Sequence, residues 1–364
     1  MGQDSLVSLS RPAARAVTSH DVAALAGVSQ SAVSRSFTPG ASVSESTKQK
    51  VMAAAAQLGY RPNLHARNLI TGRSRIVGVV LAHLDNLFYP RFMQMLSERL
   101  QTTGMQVLLF IADGRSNDEL LEQLLQYRVD GIVLAATTLS STLGKACTQA
   151  GIPVVMFNRV SSEASDRAFH SVRTDQVAGG RQIAEHLVAG GHQRLAYLAG
   201  SLDASTNQER EAGFRAGLKA RGQTLFAYGV GDYRMDRAAE VVMGWFSQPG
   251  GALKPLGQCP DAIFAADDQM ALAVMDTLRH RLGLKVPEQV SVVGFDDAPQ
   301  AQALAYSLTT YAQPLPDMID AVLKLLGQQW SSPATGRSSR ARGESVILSG
   351  ALVVRQSTRP VRTP

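Results

Sequence analysis

Gln30, Ser31 and Arg35 place an amide, a hydroxyl and a guanidinium within six consecutive positions, close enough to share one side of a helix. Side chains of these types read base edges in a DNA groove. Glutamine pairs with adenine, serine serves either base type, and arginine forks onto guanine or clamps a phosphate, which makes Arg35 the strongest candidate. A second group of chemically able residues is Asp267-Asp268 and Asp296-Asp297, paired acids that resemble a hydrolytic dyad, with seven histidines as potential bases. Nothing in the sequence organises them for catalysis. No phosphate-cradling glycine loop, zinc-spaced histidine pair or nucleophile elbow occurs at usable spacing. His186 and His192 bracket Gly190-Gly191, a helix end that favours a cationic imidazole, so capping is the expected role there and a metal site is not.

The elements that must position the first group lie between Val17 and Asn68. Thr18 and Ser19 can cap a helix whose apolar side is Val22, Ala23, Leu25 and Ala26. Gly27 ends it, because glycine accepts the left-handed conformation of a tight turn. Ser29 caps a second helix in which Val28, Ala32 and Val33 pack inward while Gln30, Ser31, Ser34 and Arg35 stay polar. A third helix starts at Ser44, with capping chemistry in Ser44-Glu45-Ser46-Thr47 and an apolar stripe of Val51, Ala54, Ala55 and Leu58. This is the layout of a helix-turn-helix. The hydroxyls of Thr18, Ser29 and Ser34 suit either phosphate contact or helix capping.

Asp21-Val22-Ala23, Ala26-Gly27-Val28-Ser29, Val33-Ser34-Arg35, Val43-Ser44 and Gly59-Tyr60-Arg61-Pro62-Asn63 closely resemble the DNA-binding end of the lactose repressor (LacI/GalR) family of bacterial regulators. The resemblance continues through Ala66-Arg67-Asn68-Leu69, similar to that family's hinge helix, and reaches about Ser357. It implies base contacts at Gln30, Ser31 and Arg35. It also implies a hinge that orders only with its twin and with DNA, since a helix of about two turns is marginal in water. Leu69 matches the family's minor-groove wedge, with Asn63, Ala66 and Arg67 alongside.

Composition agrees with a nucleic-acid reader at one end. The chain of 364 residues is 45% hydrophobic, ample for two or three domains, and its net charge is +6. Residues 1–75 hold nine Lys/Arg against three Asp/Glu, whereas the remainder is balanced. Residues 337–364 are also basic, so charge alone does not single out the first stretch. Cys147 and Cys259 are too few for a disulfide framework or metal site, which fits a reducing cytoplasm. No apolar run approaches the roughly 20 residues that span a bilayer, so no membrane is expected. Residues 1–16, with Arg11 and Arg15, read as a disordered arm.

From Ile76 the rhythm changes to short apolar runs alternating with amphipathic helices, the pattern of parallel sheets covered on both faces. Strands are expected at Ile76 to Leu81, Met105 to Ile111, Gly131 to Ala135, Pro153 to Phe157, Arg194 to Leu198, Ala227 to Val230, Ala262 to Ala265 and Ser291 to Gly294. The fold class is therefore α/β. The resemblance refines it to an N-terminal lambda-repressor-like three-helix domain (17–61), a hinge and linker (62–75) and a two-lobed periplasmic-binding-protein-like (type I) core (76–358), with a tail at 359–364. It places the first lobe at 76–172 and 312–336 and the second at 173–311 and 337–358. Crossings fall near Val172, at Leu308 to Tyr311 and at Arg337 to Gly343.

Loops at the carboxyl ends of strands then hold a small-molecule effector between the lobes. By family position its contacts are Asp85, Phe88, Tyr89, Asn158, Arg159, Arg210, Tyr233, Asp267, Asp296 and Gln313. Asp267 departs from the asparagine of some relatives, so no particular sugar carries over. Arg159, Arg173 and Arg210 converging on the cleft would favour an anionic effector; arginines bonded to Asp296, Asp267 or Asp175 would explain them equally. No leucine heptads follow Ser357, and a homodimer matching a palindromic operator is the expected assembly. No cofactor is implied. The function implied is effector-controlled transcriptional repression on double-stranded DNA. The rivals are a solute-binding protein, which needs an export signal and has no use for a basic reader, and a sugar-active enzyme.

Overall fold

Local capping chemistry explains the three helices of the first unit, α1 (Ser19–Ala26), α2 (Gln30–Ser36) and α3 (Glu45–Leu58). Thr18 and Asp21 form a reciprocal capping box on α1, and Ser29 and Ser44 cap the other two. Gly27 ends α1 at φ 63°, where a side chain would be strained. Val22, Ala23, Val33, Val51, Ala54 and Ala55 make the core, with Val28, Ala26 and Leu58 against its edge. Leu25, expected inside, is exposed, because α1 turns it away from the side that meets α3. The computed structural model describes residues 17–38, 40–61, 73–82, 84–112, 117–136, 146–147, 149–159, 169–330 and 343–361. The arm and the hinge residues Asn63, Ala66, Arg67 and Leu69 lie outside them.

The second unit begins at Arg73 and contains two six-stranded sheets. Chain order gives β1 (Ile76–Leu81), α4 (Phe88–Thr102), β2 (Gln106–Ile111), α5 (Asn117–Gln126), β3 (Gly131–Ala135), β4 (Val154–Phe157) and β5 (His170–Thr174). There follow α6 (Gln176–Ala189), β6 (Leu195–Ala199), α7 (Ser205–Ala220), β7 (Ala227–Val230), α8 (Met235–Phe246), β8 (Ala262–Ala265), α9 (Asp268–Asp276) and β9 (Ser291–Asp296). The chain closes with β10 (Thr309–Ala312), α10 (Leu315–Trp330), β11 (Ser345–Leu348) and β12 (Ala351–Val353). The first sheet runs β11-β5-β4-β3-β1-β2, all parallel; the second runs β12-β10-β9-β8-β6-β7, parallel except for the antiparallel β12. Both sheets' central strands are wholly buried, as sheets sandwiched between helices require.

Three crossings join the lobes. Two lie slightly beyond their expected places: β5 still pairs with β11 at Thr174, and β10 pairs to Ala312. The third is corrected. Ser345–Leu348 pairs with Ser171–Thr174 in the first lobe's sheet, so the chain crosses at Ser349-Gly350 and not at 337–343. Gly350 fits there because a Cβ would sit 2.2 Å from the Ala312 carbonyl oxygen of the neighbouring crossing. A short stretch such as Ser-Val-Ile-Leu does not reveal which sheet it joins; its partner strand decides that.

Among the described residues no helix is long and apolar enough to cross a membrane.

Candidate functional site

The start of α2 presents Gln30 and Ser31 to solvent, and Ser34 and Arg35 follow on its exposed side. Val33 and Ser36 face the core, so packing fixes which side is offered. Gln30 Nε2 donates to Ser19 Oγ at 3.0 Å, tying the first turn of α2 to α1. The Arg35 guanidinium has no partner among the described residues. Thr18 Oγ1 donates to Asp21 at 2.7 Å, and Ser29 Oγ accepts from Ala32 N, so both hydroxyls cap helices within this unit.

Between the lobes of the second unit lies a cavity lined by Asn86, Phe88, Tyr89, Ala136, Asn158, Arg159, Thr206, Arg210, Tyr233, Asp267 and Asp296. Ala136 and Asn158 directly follow β3 and β4, and Asp296 ends β9, so the cavity sits at the carboxyl ends of strands from both sheets. Ala136, Asn158, Tyr233 and Asp296 have φ of 57°, 57°, 56° and 116°. Four non-glycine residues in left-handed backbone around one cavity mark a place where strain is held for function.

A continuous buried polar network forms its floor. Gln176 Nε2 donates to Asn158 Oδ1 (3.1 Å), and Arg210 Nε donates to Gln176 Oε1 (2.7 Å). Arg210 also donates to the Ala266 carbonyl oxygen and, from Nη2, to Asp296 Oδ1 at 3.3 Å. Gln313 Nε2 donates to the same Asp296 oxygen at 2.6 Å and accepts from Thr174 Oγ1 at 2.8 Å. The Arg210 guanidinium lies 3.7 Å above the Phe295 ring. Nearer the rim, Asn86 Nδ2 of the first lobe donates to Asp267 Oδ2 of the second at 2.9 Å.

Burial dominates the electrostatics. It pushes the Asp267 carboxyl up to about 7, helped by the charge of Asp296. It raises Asp296 to about 6 against the pull of Arg210, and lifts Asp268 well above the usual range. An acid raised in the folded state keeps a proton that the unfolded chain has released. Stability from these groups is therefore full below the ordinary carboxylate range near 4 and falls as pH climbs through about 7. Replacing Asp267 with asparagine is expected to flatten that decline between pH 5 and 8, measured by denaturant unfolding of the full chain; an unchanged slope would show that Asp267 does not hold the proton.

The structure thus brings together eight of the ten expected effector contacts. Asp85 lines instead an outer groove with Asn86, Tyr233 and Gln269, and Gln313 lines a separate cavity beyond Asp296. Gln313 touches the site only by holding Asp296. Arg173 does not converge on the cavity, because Glu209 takes it at 2.6 Å. Asn86, Ala136 and Thr206 were missed. Ala136 directly follows a strand, and Thr206 sits one turn before Arg210 on α7, positions that strand ends and helical spacing could have flagged. His186 is corrected as well: burial lowers its pKa and it bonds Thr358 Oγ1 at 2.9 Å, so it is not a cationic cap. No metal-ligating cluster occurs among the described residues.

Comparison with known proteins agrees with this architecture. Residues 18–63 match the family described as bacterial regulatory proteins, lacI family, and residues 184–358 match a periplasmic binding protein-like domain. The HTH-type transcriptional regulator DegA of Bacillus subtilis (strain 168) is 30% identical over 352 residues, covering 95% of this chain and 99% of that one. The HTH-type transcriptional regulator CelR of Thermobifida fusca is 32% identical, covering 92% and 96%. The crystal structure of the lac repressor dimer bound to operator and the anti-inducer ONPF aligns with a TM-score of 0.79 at 29% identity, over 94% and 99%. A CelR–cellobiose complex aligns with a TM-score of 0.64 at 29% identity, over 94% and 99%.

Proposed function

This chain belongs to the lacI family of bacterial regulatory proteins and is a DNA-binding transcriptional regulator, and from that premise we propose that it represses transcription as a cytoplasmic homodimer, released or tightened by a sugar-like effector in the cavity between its lobes. The observation that carries this reading is the strained polar cavity at the strand ends of a chain that also exposes a helix-turn-helix reader. An effector that prefers one degree of lobe closure shifts the population of DNA-competent molecules by its differential affinity. Regulators of this family whose solved structures hold cellobiose or ribose support a sugar as the ligand class.

The acids of the cleft are read as ligand holders and not as catalysts. Asp267 accepts from Met270 N and from Asn86, and Asp296 from Arg210 and Gln313, so both carboxyls are engaged in positioning. Turnover of a bound sugar would overturn that.

The test is selection of preferred duplexes from a random pool with the full chain, followed by a search for metabolites that change the affinity. A palindromic consensus and at least one metabolite that alters binding are expected; a non-palindromic or absent consensus would remove the reading. On the selected operator, Arg35→Ala is expected to cost about 1–3 kcal/mol of specific binding, with little change on random duplex. Fluorescence anisotropy on both duplexes checks it, and equal losses would assign Arg35 to phosphate.

A further inference from the structure

We infer that the metabolite taken by the inter-lobe cavity is a polyol bearing an oxyanion, a carboxylate or a phosphate, and that Arg159 is the residue that selects it; this rests on the effector reading above. Three arginines lie close to the cleft, and their partners differ. Arg173 is neutralised by Glu209 at 2.6 Å. Arg210 is spent on Gln176, Ala266 and Asp296 and stacks on Phe295. Arg159 lines the cavity, half-buried, and has neither a hydrogen bond nor an ion pair among the described residues. Its charge is the uncompensated one.

Three of the four oxygens of Asp267 and Asp296 are already committed to the protein. Both oxygens of Asp267 accept from Met270 N and Asn86 Nδ2, and Asp296 Oδ1 accepts from Arg210 and Gln313. Donors are left over. Beside the five N–H groups of Arg159, the Tyr89 hydroxyl has no partner among the described residues, and among them the Tyr233 hydroxyl has a single long contact of 3.4 Å, with Thr206. All three groups line the same cavity. A site with spare donors around an unpaired guanidinium is complementary to an acceptor-only group. Closing the lobes over a neutral hydroxyl would desolvate that guanidinium without a counter-charge, whereas a carboxylate or phosphate meets its planar fork with two charge-assisted bonds. Phe88 and Tyr89 then offer ring faces to the carbon skeleton, and the free oxygen of Asp296 is left for hydroxyls.

The experiment uses the full chain and matched pairs: glucose against gluconate, glucuronate and glucose 6-phosphate, and ribose against ribose 5-phosphate, by calorimetry and thermal shift. At least one anionic member is expected to bind roughly tenfold or more tighter than its neutral counterpart, the order of one charge-assisted pair. Carboxylate and phosphate members separate the two sources. Arg159→Gln should erase the preference, and Arg159→Lys should restore part of it, with the melting temperature of the unliganded variants unchanged. Neutral members that bind as tightly as their anionic partners, or a preference that survives Arg159→Gln, would overturn the inference while leaving the effector reading intact. If no sugar of either kind binds, the effector reading falls and this inference with it.

Discussion

Arg210→Ala is expected to destabilise the second unit by about 3–5 kcal/mol, the cost of removing one partner from a buried ion pair. Arg210 is 3% exposed and stands at the centre of the polar network that joins the crossings to the cavity floor. Its loss strips a donor from Gln176, from the Ala266 carbonyl and from Asp296 at once, and removes the cation over Phe295. Asp296, already raised to about 6 by burial, loses the guanidinium that holds it down and rises further. At pH 5 the orphaned acid stays protonated and the penalty is smaller; at pH 8 it must be carried as a charge. Urea unfolding followed by circular dichroism at both pH values checks this. A loss under about 1 kcal/mol at pH 8 would mean that water reaches the pair and screens it. Arg210→Lys keeps the charge without the planar fork and is expected to fall between alanine and wild type.

Gly213→Leu is the second large effect. Helices α6 and α7 meet backbone to backbone: a Cβ at Gly213 would lie 2.1 Å from the Val177 carbonyl oxygen, and one at Gly180 would lie 2.2 Å from that of Arg210. No rotamer relieves such a clash, because the offending atom is backbone. The helices must separate, and Arg210 moves with α7, away from Gln176 on α6. Destabilisation at or above roughly 3 kcal/mol, the upper end for overpacked cores, is expected in the same unfolding assay. The variant should also lose any effector response while its first unit still binds DNA non-specifically. Gly244→Leu on α8, where a Cβ meets nothing within 4 Å, serves as the control.

Much of this was legible from residue order alone. Gly27, Ser29 and Ser44 announced their turns and caps because those interactions reach only a few residues along the chain. β1, β3 and β8 fell on the expected boundaries, since buried parallel strands are short apolar runs with sharp ends, and the partly exposed edge strand β7 did so as well. Leu25 misled because the apolar side of a helix as short as α1 is defined by too few residues to exclude one exposed leucine. The third crossing was misplaced because no local pattern distinguishes Ser345–Leu348 in one sheet from Ala351–Val353 in the other.

The cavity divides the same way. The resemblance to the lactose repressor family put Phe88, Tyr89, Asn158, Arg159, Arg210, Tyr233, Asp267 and Asp296 at one site, and all eight line the same cavity. It could not say how like-charged groups would choose among several acids within reach. Only the packing of α6 on α7, and the meeting of the crossings at Thr174 and Gln313, gave Arg210 to Asp296 and Arg173 to Glu209. What the sequence by itself determined were the elements, their caps and the family they compose, because those depend on neighbours in the chain. The pairing of the arginines, and with it the charge that Arg159 still offers, was decided by tertiary structure, because burial strengthens a contact between groups up to 86 residues apart that water would otherwise screen.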